Sequence, residues 1–431
     1  MNKQKVSFFW FRRDLRLDDN RGLFHALESQ FPVIPLFIFD DAILESLPKD
    51  DSRVSFIYDS LEKINLELNT IGSSLLIKKG KTAEVWKSLV EEFDIQNVFF
   101  NKDYEPYAIK RDLFISDLLK EKGVTAFSYK DHVVFEEKEI TKADGLPYTI
   151  YTPYKNKWLE KYKLNGGAET YDTASLFSNF YKSQFPFPSI NQIGFEKSTI
   201  VVLPHNLKNI SNYHETRDYP ALDTTSYLSP HLRFGTVSTR KLVNWASQKN
   251  QIFLSELIWR EFFIQILFSF PNVVNHNFKS AYDGIEWLNN ENDFKRWCSG
   301  TTGYPMVDAG IRQLNETGYM HNRVRMVVAS FLCKHLLISW QWGEAYFAEK
   351  LLDYELASNV GNWQWAAGTG CDAAPYFRVF NPEIQLKKFD EKGIYIRKWI
   401  PEFDLGYNTP MIEHAFARDR AIATYKKGIL R

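Results

Sequence analysis

The sequence predicts an α/β domain followed by an all-α domain: a doubly wound parallel sheet first, then a long connector and a helical part. Three observations predict this. Apolar runs alternate with amphipathic stretches over the first 130 residues, whereas helical spacing dominates from residue 236 onward. A chain of 431 residues is also too long for one ordinary core, so at least two domains are expected.

The N-terminal domain is predicted to span residues 1–130. Five buried apolar runs are predicted as strands, at residues 6–11, 33–39, 74–77, 98–101 and 124–129. Helical spacing predicts helices between them, at residues 53–68, 82–93 and 108–122. Neither a GxGxxG pattern nor a P-loop follows the first strand, so any nucleotide must be bound by other means.

Two further regions follow. Over residues 131–205 the periodicity fades while Ser, Asn, Pro and Gly accumulate, which indicates a connector with short helices. Residues 206–431 are predicted as a helical domain, with apolar stripes at residues 236–247, 253–268, 306–314, 322–336 and 342–352. No repeat of the length found in solenoids is visible.

Composition narrows the class of protein. Hydrophobic residues make up 44% and charged residues 25%, as in globular proteins, while aromatic residues reach 16%. Basic and acidic residues balance at 53 each, so DNA binding would depend on a local patch. Three cysteines without a CxxC pair argue against disulfides or zinc, so no metal and a cytoplasmic location are expected. The apolar run at residues 6–11 is too short for a signal or membrane segment, so no membrane association is expected.

The last 190 residues hold nine of the twelve tryptophans. Residues 359–382 combine bulky rings with Gly, Pro and Asn, which favours a cofactor pocket over a packing helix; a long irregular core connection is the alternative. Asp353 and Glu355 come just before this segment. They could form a hydrolytic acid pair, but the surrounding Trp, Arg and hydroxyl groups better suit a large aromatic cofactor.

Hydroxyl groups cluster at residues 225–232, where a helix should begin. Ser229 is suited to the N-cap and Pro230 to the first helical position. Free backbone N–H groups together with these hydroxyls could hold a diphosphate, and an ordinary capped helix is the alternative.

Two helical faces carry polar groups beside apolar ones. Glu256, Trp259 and Phe263 lie at positions i, i+3 and i+7, and a buried carboxylate there needs a partner such as a ligand donor. An amide, a guanidinium and a thioether likewise share a face of a second helix, at Asn322, Arg325 and Met326. These groups imply a polar ligand with an apolar edge, and a solvated or salt-bridged face is the alternative for each helix.

Taken together, these motifs resemble the photolyase/cryptochrome family of blue-light flavoproteins, and within it class I cyclobutane pyrimidine dimer photolyases. The stretches that carry the resemblance are residues 10–20, 225–229, 256–262, 302–309, 318–326 and 359–382. The resemblance covers essentially the whole chain. It implies a U-shaped FAD in the helical domain, beside an α/β domain that can carry an antenna chromophore.

The resemblance also implies which residues contact FAD. They match positions around the ribityl chain, the phosphates or the isoalloxazine ring: Tyr213, Thr225, Ser226, Leu228, Ser229, Arg325, Asp353, Glu355 and Asn359. Arg325 is implied to pair with Asp353. Asn359 is implied to lie beside flavin N5, where plant cryptochromes have Asp and many animal cryptochromes have Cys, and a neutral amide favours repair over signalling.

Substrate and electron-transfer residues follow from the same resemblance. The implied pocket for a flipped-out dimer comprises Glu256, Trp259, Asn322, Met326 and Trp365. Further DNA contacts are expected from Arg260, Arg323, Arg378, Lys387 and Lys388. The implied catalytic residues are Glu256, Asn359 and the outward tryptophan chain Trp363, Trp340 and Trp287, which re-reduces the flavin. Met326 replaces the His that (6-4) photolyases use for proton transfer.

The expected function is light-driven repair of cyclobutane pyrimidine dimers in UV-damaged DNA by electron transfer from excited reduced FAD. The alternatives are a cryptochrome-type photoreceptor and a (6-4) photolyase. A monomer without an obligate protein partner is expected. Residues 104–108 lack the Asn-Glu pair of folate-binding relatives, so a second chromophore could be a deazaflavin, a second flavin or absent.

Overall fold

A computed structural model describes residues 3–407 and 409–429 of the chain. Its N-terminal part contains one sheet of five parallel strands in the order β3-β2-β1-β4-β5. The strands are β1 Lys5–Phe11, β2 Val33–Asp40, β3 Leu76–Gly80, β4 Asp94–Asn101 and β5 Thr125–Tyr129. The predicted parallel sheet is therefore confirmed, with each strand within a few residues of its expected bounds.

Helices cover both faces of this sheet, which explains why its central strands are almost continuously apolar. Phe9 and Phe11 of β1 enter one core, whereas Phe8 and Trp10 enter the other. The helices in this part are α1 Arg21–Glu28, α2 Asp41–Leu44, α3 Ser52–Thr70, α4 Thr82–Glu92 and α5 Pro106–Glu121. The short helix α1 was not predicted; it is capped by Asn20, whose side chain accepts a hydrogen bond from the amide of Leu23 at 3.1 Å.

The chain forms two compact units that are interleaved along the sequence. Unit 1 comprises Met1–Glu139, Trp158–Pro204 and Leu228–Gln248, and unit 2 comprises Ile140–Lys157, His205–Tyr227 and Lys249–Arg431. The contiguous division predicted from sequence, with boundaries at residues 130 and 205, differs from these units. The predicted connector is shared between them, and Leu228–Gln248 belongs to unit 1.

A buried charge cluster explains why Leu228–Gln248 belongs to unit 1. Asp131 Oδ2 lies 2.8 Å from Arg16 Nη2, and Asp131 Oδ1 lies 2.9 Å from Arg240 Nη2. Arg240 Nη2 also lies 3.2 Å from Asp19 Oδ2. The charges of two carboxylates and two guanidinium groups cancel in this cluster. Removing one partner of a buried ion pair typically destabilises the fold by about 3–5 kcal/mol. Sequence periodicity gives no sign of this long-range pairing.

The remaining helices begin after the predicted connector starts. They are α6 Tyr151–Leu164, α7 Tyr213–Thr216, α8 Leu228–Phe234, α9 Thr239–Lys249, α10 Gln251–Ser269, α11 Glu291–Cys298, α12 Pro305–Thr317, α13 Asn322–Ser330, α14 Trp340–Lys350, α15 Leu356–Ala367, α16 Pro382–Phe389, α17 Ile394–Trp399 and α18 His414–Ile429. The predicted helical C-terminal part is thus confirmed. Among the described residues, no helix combines the length and apolar character needed to cross a bilayer.

The helix predicted over residues 322–336 changes its hydrogen-bond pattern part-way. After α13 the chain forms a π-helical turn at Phe331–His335, in which the amide of Leu336 donates to the carbonyl of Phe331 at 3.1 Å. Lys334 Nζ in this turn donates to the carbonyl of Arg378 at 2.8 Å. His335 Nε2 lies 2.9 Å from His414 Nδ1 at the start of α18. The turn thus directs two buried polar side chains into contacts that a regular helix pattern does not predict.

His335 is expected to make folding sensitive to acid. Burial and the neighbouring His414 lower the pKa of His335 to about 3, from 6.5 in an unfolded chain. Between these values the unfolded chain binds a proton that the folded chain does not, so stability falls as pH falls. The expected contribution is up to about 1.4 kcal/mol per pH unit in that window. Urea unfolding of wild type and His335→Asn at several pH values measures it; equal pH slopes for both would contradict the assignment.

Candidate functional site

Two hydroxyl side chains of unit 2, Thr225 and Ser226, lie between residues with left-handed backbone. Asp223 has a φ of 48° and Tyr227 a φ of 53°, which residues other than glycine seldom adopt. The Tyr227 hydroxyl donates to Asp223 Oδ1, and the Tyr227 ring packs against Tyr319 at 5.2 Å between centroids. Such strain persists only where surrounding contacts hold it, and it is common in ligand-binding loops. The geometry suits the predicted binding role of Thr225 and Ser226.

The capping arrangement predicted at Ser229 is corrected by the structure. Helix α8 begins at Leu228, so Ser229 and Pro230 lie within its first turn rather than at the N-cap and first position. Pro230 is accommodated because first-turn N–H groups have no acceptor inside the helix. Within unit 1, Leu228 is buried and Ser229 is exposed.

Arg325 and Asp353 form the ion pair that the resemblance implies. Arg325 Nη2 lies 2.9 Å from Asp353 Oδ2, and Arg325 Nε donates to the carbonyl of Met320 at 2.8 Å. The second carboxylate oxygen of Asp353, Oδ1, is buried and has no hydrogen-bond donor within the part of the chain that the structure describes. Leaving a buried acceptor unpaired costs about 1–3 kcal/mol. Asp353 therefore offers an unused acceptor to a ligand.

The role predicted for Arg260 changes with its surroundings. Arg260 Nη2 lies 2.9 Å from Glu355 Oε1, and these side chains are only 12% and 6% exposed. Ser358 Oγ donates to Glu355 Oε2 at 3.1 Å. A buried carboxylate needs such compensation. Arg260 thus neutralises Glu355 inside unit 2, and little of its side chain is exposed for the predicted DNA contact.

Asn359 is oriented by a carboxylate that sequence reasoning missed. Its Nδ2 donates to the carbonyl of Glu344 at 3.0 Å and to Glu344 Oε1 at 2.9 Å. Burial raises the pKa of Glu344, and the hydrogen bond from Asn359 opposes that rise. Both amide hydrogens of Asn359 are used in this way, so its Oδ1 is the group left for a ligand.

Glu256 also has a protein partner that was not predicted. Its Oε1 lies 2.6 Å from Arg217 Nη1, and roughly a third of the Glu256 side chain, 32%, is exposed. Burial raises the pKa of Glu256, whereas Arg217 lowers it. The Arg217 guanidinium lies 5.4 Å from the ring centroid of Tyr213, another predicted site residue. The expected need of this carboxylate for a partner is therefore met in part by Arg217.

The Trp259 ring stacks against two aromatic rings, and that of Phe263 lies 5.4 Å away between centroids with an interplanar angle of 28°. Tyr151 stacks on the Trp259 ring at 3.6 Å between centroids with an interplanar angle of 9°, and the Tyr151 hydroxyl donates to the carbonyl of Ser255 at 2.7 Å. Trp259 and Trp365 are both partly exposed. A partly exposed indole held by neighbouring rings is suited to stacking on a planar base through its exposed part.

At the start of α13, Asn322 is exposed and Met326 partly exposed. Arg323 Nη1 approaches Met326 Sδ at 3.6 Å, and Arg323 Nη2 lies 2.7 Å from Asp218 Oδ1. The Arg323 guanidinium also covers the ring of Phe389 at 4.4 Å. A phosphate contact by Arg323 would therefore compete with Asp218.

The other predicted DNA-contacting residues are exposed. They are Arg378, Lys387 and Lys388. Within the described residues no ion pair involves Arg378, whose guanidinium lies 5.5 Å from the ring of Phe380. Exposed cations of this kind can neutralise phosphates at low desolvation cost.

The three tryptophans of the predicted chain differ in exposure. Trp363 and Trp340 are buried, and Trp287 is partly exposed beside Tyr425, 5.7 Å away. Trp340 Nε1 donates to Asn277 Oδ1 at 2.9 Å. Trp363 Nε1 is buried without an acceptor among the described residues. The predicted order from Trp363 through Trp340 to Trp287 thus runs from buried rings to a partly exposed one.

Three residues of the site were missed from sequence: Arg217, Glu344 and Tyr151. Two had a usable signal, because Arg217 follows Tyr213 by four positions and Glu344 follows Trp340 by four, a helical spacing. Tyr151 meets the α10 segment more than a hundred residues along the chain. No local pattern predicts that contact.

In unit 1, two side chains within residues 104–108 form ion pairs or hydrogen bonds with other protein side chains. Glu105 Oε1 lies 3.1 Å from Nη1 of both Arg13 and Arg233. The Tyr107 hydroxyl donates to Asp40 Oδ2 at 2.6 Å. These contacts occupy the segment in which folate-binding relatives have the Asn-Glu pair.

The groups in unit 2 fit FAD chemically. A flavin presents ring and ribityl donors, and its phosphates accept from hydroxyl and amide groups. The unpaired Asp353 Oδ1 and the free Oδ1 of Asn359 match the donors, and the hydroxyls of Thr225 and Ser226 match the phosphates. A parallel-sheet unit together with a helical unit that presents these groups defines the class of flavin-dependent photolyases and cryptochromes.

Comparison with known proteins agrees with this class. Residues 7–174 match the family description "DNA photolyase", and residues 253–405 match "FAD binding domain of DNA photolyase". The "Deoxyribodipyrimidine photo-lyase" of Halobacterium salinarum is 35% identical over 98% of this chain and 99% of its own length. The chain belongs to the DNA photolyase family. The match of residues 253–405 to the FAD-binding domain confirms FAD, the cofactor expected from sequence.

Two solved structures resemble the chain over nearly its full length. A class III photolyase from Agrobacterium tumefaciens superposes with a TM-score of 0.88 at 32% identity, covering 100% of this chain and 99% of that one. An archaeal photolyase from Sulfolobus tokodaii, crystallised with two FAD molecules, gives a TM-score of 0.84 at 33% identity, with coverages of 98% and 100%. These similarities extend to both units of the chain.

Proposed function

We propose that this protein repairs cyclobutane pyrimidine dimers in DNA, as a light-driven carbon–carbon lyase that depends on FAD. The observation that carries the proposal is the Arg325–Asp353 ion pair, in which Asp353 Oδ1 is buried and unused. That acceptor directly precedes α15, the helix that carries Asn359 and Trp363 one turn apart. Asn359, proposed to bind the flavin, and Trp363, proposed to donate electrons, thus lie on the same helix, with Asp353 just before it.

Asp353, Asn359, Thr225 and Ser226 would hold the cofactor. Asp353 Oδ1 would accept a hydrogen bond from it, and Arg325 keeps that carboxylate in place. Because Glu344 takes both amide hydrogens, Asn359 would present its carbonyl oxygen. A neutral amide supplies no acidic proton, which favours a lasting fully reduced flavin.

The chemistry that fully reduced FAD would supply under light is the transfer of one electron to the dimer, with its return after the ring splits. The protein stabilises the extra charge that the substrate carries meanwhile. Glu256 would hydrogen-bond the dimer: burial raises its pKa, which favours the protonated carboxyl that can donate to a pyrimidine carbonyl, whereas Arg217 opposes this rise. Two carbon–carbon bonds break, and neither atoms nor electrons are gained overall.

Substrate choice follows from the pocket walls. Trp259, braced by Tyr151, would stack on the flipped-out dimer. Met326 stands where (6-4) repair would need a proton-transferring group, and its thioether cannot donate a proton. Arg378, Lys387 and Lys388 would neutralise nearby phosphates, which makes DNA affinity fall with rising salt.

FAD binding is expected to depend on Asp353. In Asp353→Asn the negative charge beside Arg325 is lost, so a charge-assisted hydrogen bond to the cofactor becomes an ordinary one. Hydrogen bonds to charged groups contribute about 1.5–3 kcal/mol and ordinary ones about 0.5–1.5 kcal/mol, so the loss of about 1–1.5 kcal/mol should weaken FAD binding roughly 5- to 10-fold. Calorimetric titration of stripped protein with FAD measures this, with Glu349→Gln, on the surface of α14, as the control. Unchanged affinity in Asp353→Asn would exclude Asp353 from the cofactor site.

The test of the function itself uses purified protein with chemically reduced FAD and UV-irradiated oligothymidine. Blue light should remove cyclobutane dimers, and a dark sample should not. A matched oligonucleotide with a (6-4) product should remain unrepaired. Repair of the (6-4) product alone would assign the other lesion, and repair of neither would favour a photoreceptor.

A further inference from the structure

Trp363 has aromatic neighbours that the predicted tryptophan chain does not include. Its ring centroid lies 6.2 Å from that of Trp297 and 4.9 Å from that of Phe347. Within the described residues, no ring contact of this kind joins Trp363 to Trp340. Electron transfer between rings falls steeply with distance, so Trp297 is well placed to reduce an oxidised Trp363.

Helix packing brings Trp297 to this position. Trp297 ends the apolar face of α11 and is fully buried, with its Nε1 donating to the carbonyl of Val328 at 3.3 Å. Gly343 of α14 makes room for Trp363, since a Cβ at Gly343 would lie 2.1 Å from the Trp363 ring. The two indoles therefore meet edge to face, with an interplanar angle of 65°.

The aromatic contacts continue from Trp297 to a partly exposed tyrosine. The ring of Tyr346 lies 5.5 Å from that of Trp297. The Tyr346 hydroxyl lies 2.6 Å from Asn315 Oδ1 and 2.9 Å from the carbonyl oxygen of Cys298. Trp297 is thus the buried link between Trp363 and an oxidisable side chain that reaches solvent.

We propose that Trp363, Trp297 and Tyr346 form a second electron-supply branch, separate from Trp340 and Trp287. The proposal rests on the proposed function, because it requires that light oxidises Trp363. Trp363 loses one electron to the bound cofactor and regains it from Trp297. Trp297 then takes an electron from Tyr346, which releases its hydroxyl proton to solvent. A thiol in solution returns a hydrogen atom to Tyr346 and becomes a thiyl radical, and two such radicals combine to a disulfide.

The experiment compares full-length, FAD-loaded variants in thiol-containing buffer without DNA. Trp340→Phe blocks the predicted chain, and the double variant Trp340→Phe/Trp297→Phe blocks both branches. Trp340→Phe should keep measurable photoreduction and form a tyrosyl radical, seen by its narrow transient absorption band and its electron paramagnetic resonance spectrum. The double variant should fall to the level of Trp363→Phe. Trp340→Phe/Trp342→Phe is the matched control, because Trp342 contacts Phe294 and neither Trp297 nor Trp363 among the described residues.

Two outcomes would overturn the proposed branch. In the first, Trp340→Phe photoreduces FAD no better than Trp363→Phe. In the second, the double variant Trp340→Phe/Trp297→Phe photoreduces FAD as well as Trp340→Phe alone. Trp340→Phe/Tyr346→Phe provides a test that keeps every buried indole of the branch; it should lose the tyrosyl signal. If the signal stays, Tyr346 is not the donor. If Trp363 is not the electron donor to the cofactor, Trp363→Phe itself would photoreduce like wild type, which distinguishes that failure from failure of the branch. Bound FAD and thermal unfolding confirm that each variant is folded.

Discussion

Replacing Trp363 with Phe is expected to abolish photoreduction of FAD and to leave repair by chemically pre-reduced enzyme nearly intact. Both electron branches start at Trp363, because Trp297 contacts its ring and the predicted chain to Trp340 and Trp287 also begins there. Phenylalanine is far harder to oxidise than indole. Repair uses an electron from the cofactor and does not require Trp363 to be oxidised.

The measurement is the absorbance change of bound FAD under blue light with a thiol present, followed by a repair assay after chemical reduction. The substitution removes an indole whose Nε1 has no partner among the described residues, so little hydrogen bonding is lost. Phe keeps an aromatic ring against Phe347. Photoreduction at the wild-type rate would show that electrons enter by another path.

Glu256 and Trp259 are expected to separate chemistry from binding. Glu256→Ala should lower the repair yield more than the affinity, because its hydrogen bond strengthens as negative charge develops on the dimer. Trp259→Ala should weaken binding of the lesion by about 1–3 kcal/mol, the usual contribution of base stacking on an aromatic ring. That corresponds to roughly 5- to 150-fold in dissociation constant.

Titration with a dimer-containing oligonucleotide gives the affinity, and repair per absorbed photon gives the yield. Glu256→Gln is the matched control, because its amide is a hydrogen-bond donor of similar size that can neither ionise nor form an ion pair with Arg217. If Gln restores the yield, donation to the dimer is the role of Glu256. A Trp259→Ala protein with unchanged affinity would mean that the dimer does not stack on Trp259.

Most of the fold could be predicted from sequence because it depends on local periodicity. Buried parallel strands are continuous apolar runs, and the helices of unit 2 carry apolar stripes. The short helix α1 was missed although its buried residues Leu23, Ala26 and Leu27 recur at helical spacing, because eight residues make only about two turns. The π-helical turn at Phe331–His335 was missed because contacts of Lys334 and His335 with distant residues determine it.

Of the site, residue types were predictable and partnerships were not. The pairing of Arg325 with Asp353 was expected, and it is present. By contrast, Arg260 turns to Glu355, because burying both charges is tolerable only as a pair. The orientation of Asn359 by Glu344 likewise arises only when α14 and α15 pack together.

The sequence alone determined the parallel sheet and the helical C-terminal part, because these follow from periodicity, whereas the side chains predicted to bind a flavin came from the family resemblance. Only the tertiary structure decided which residues belong to each unit and which aromatic rings meet. The Asp131 cluster joins Leu228–Gln248 to unit 1, and the packing of α11, α14 and α15 brings Trp297 against Trp363. Burial of charges and contact between rings depend on distances in space, which a linear chain does not specify.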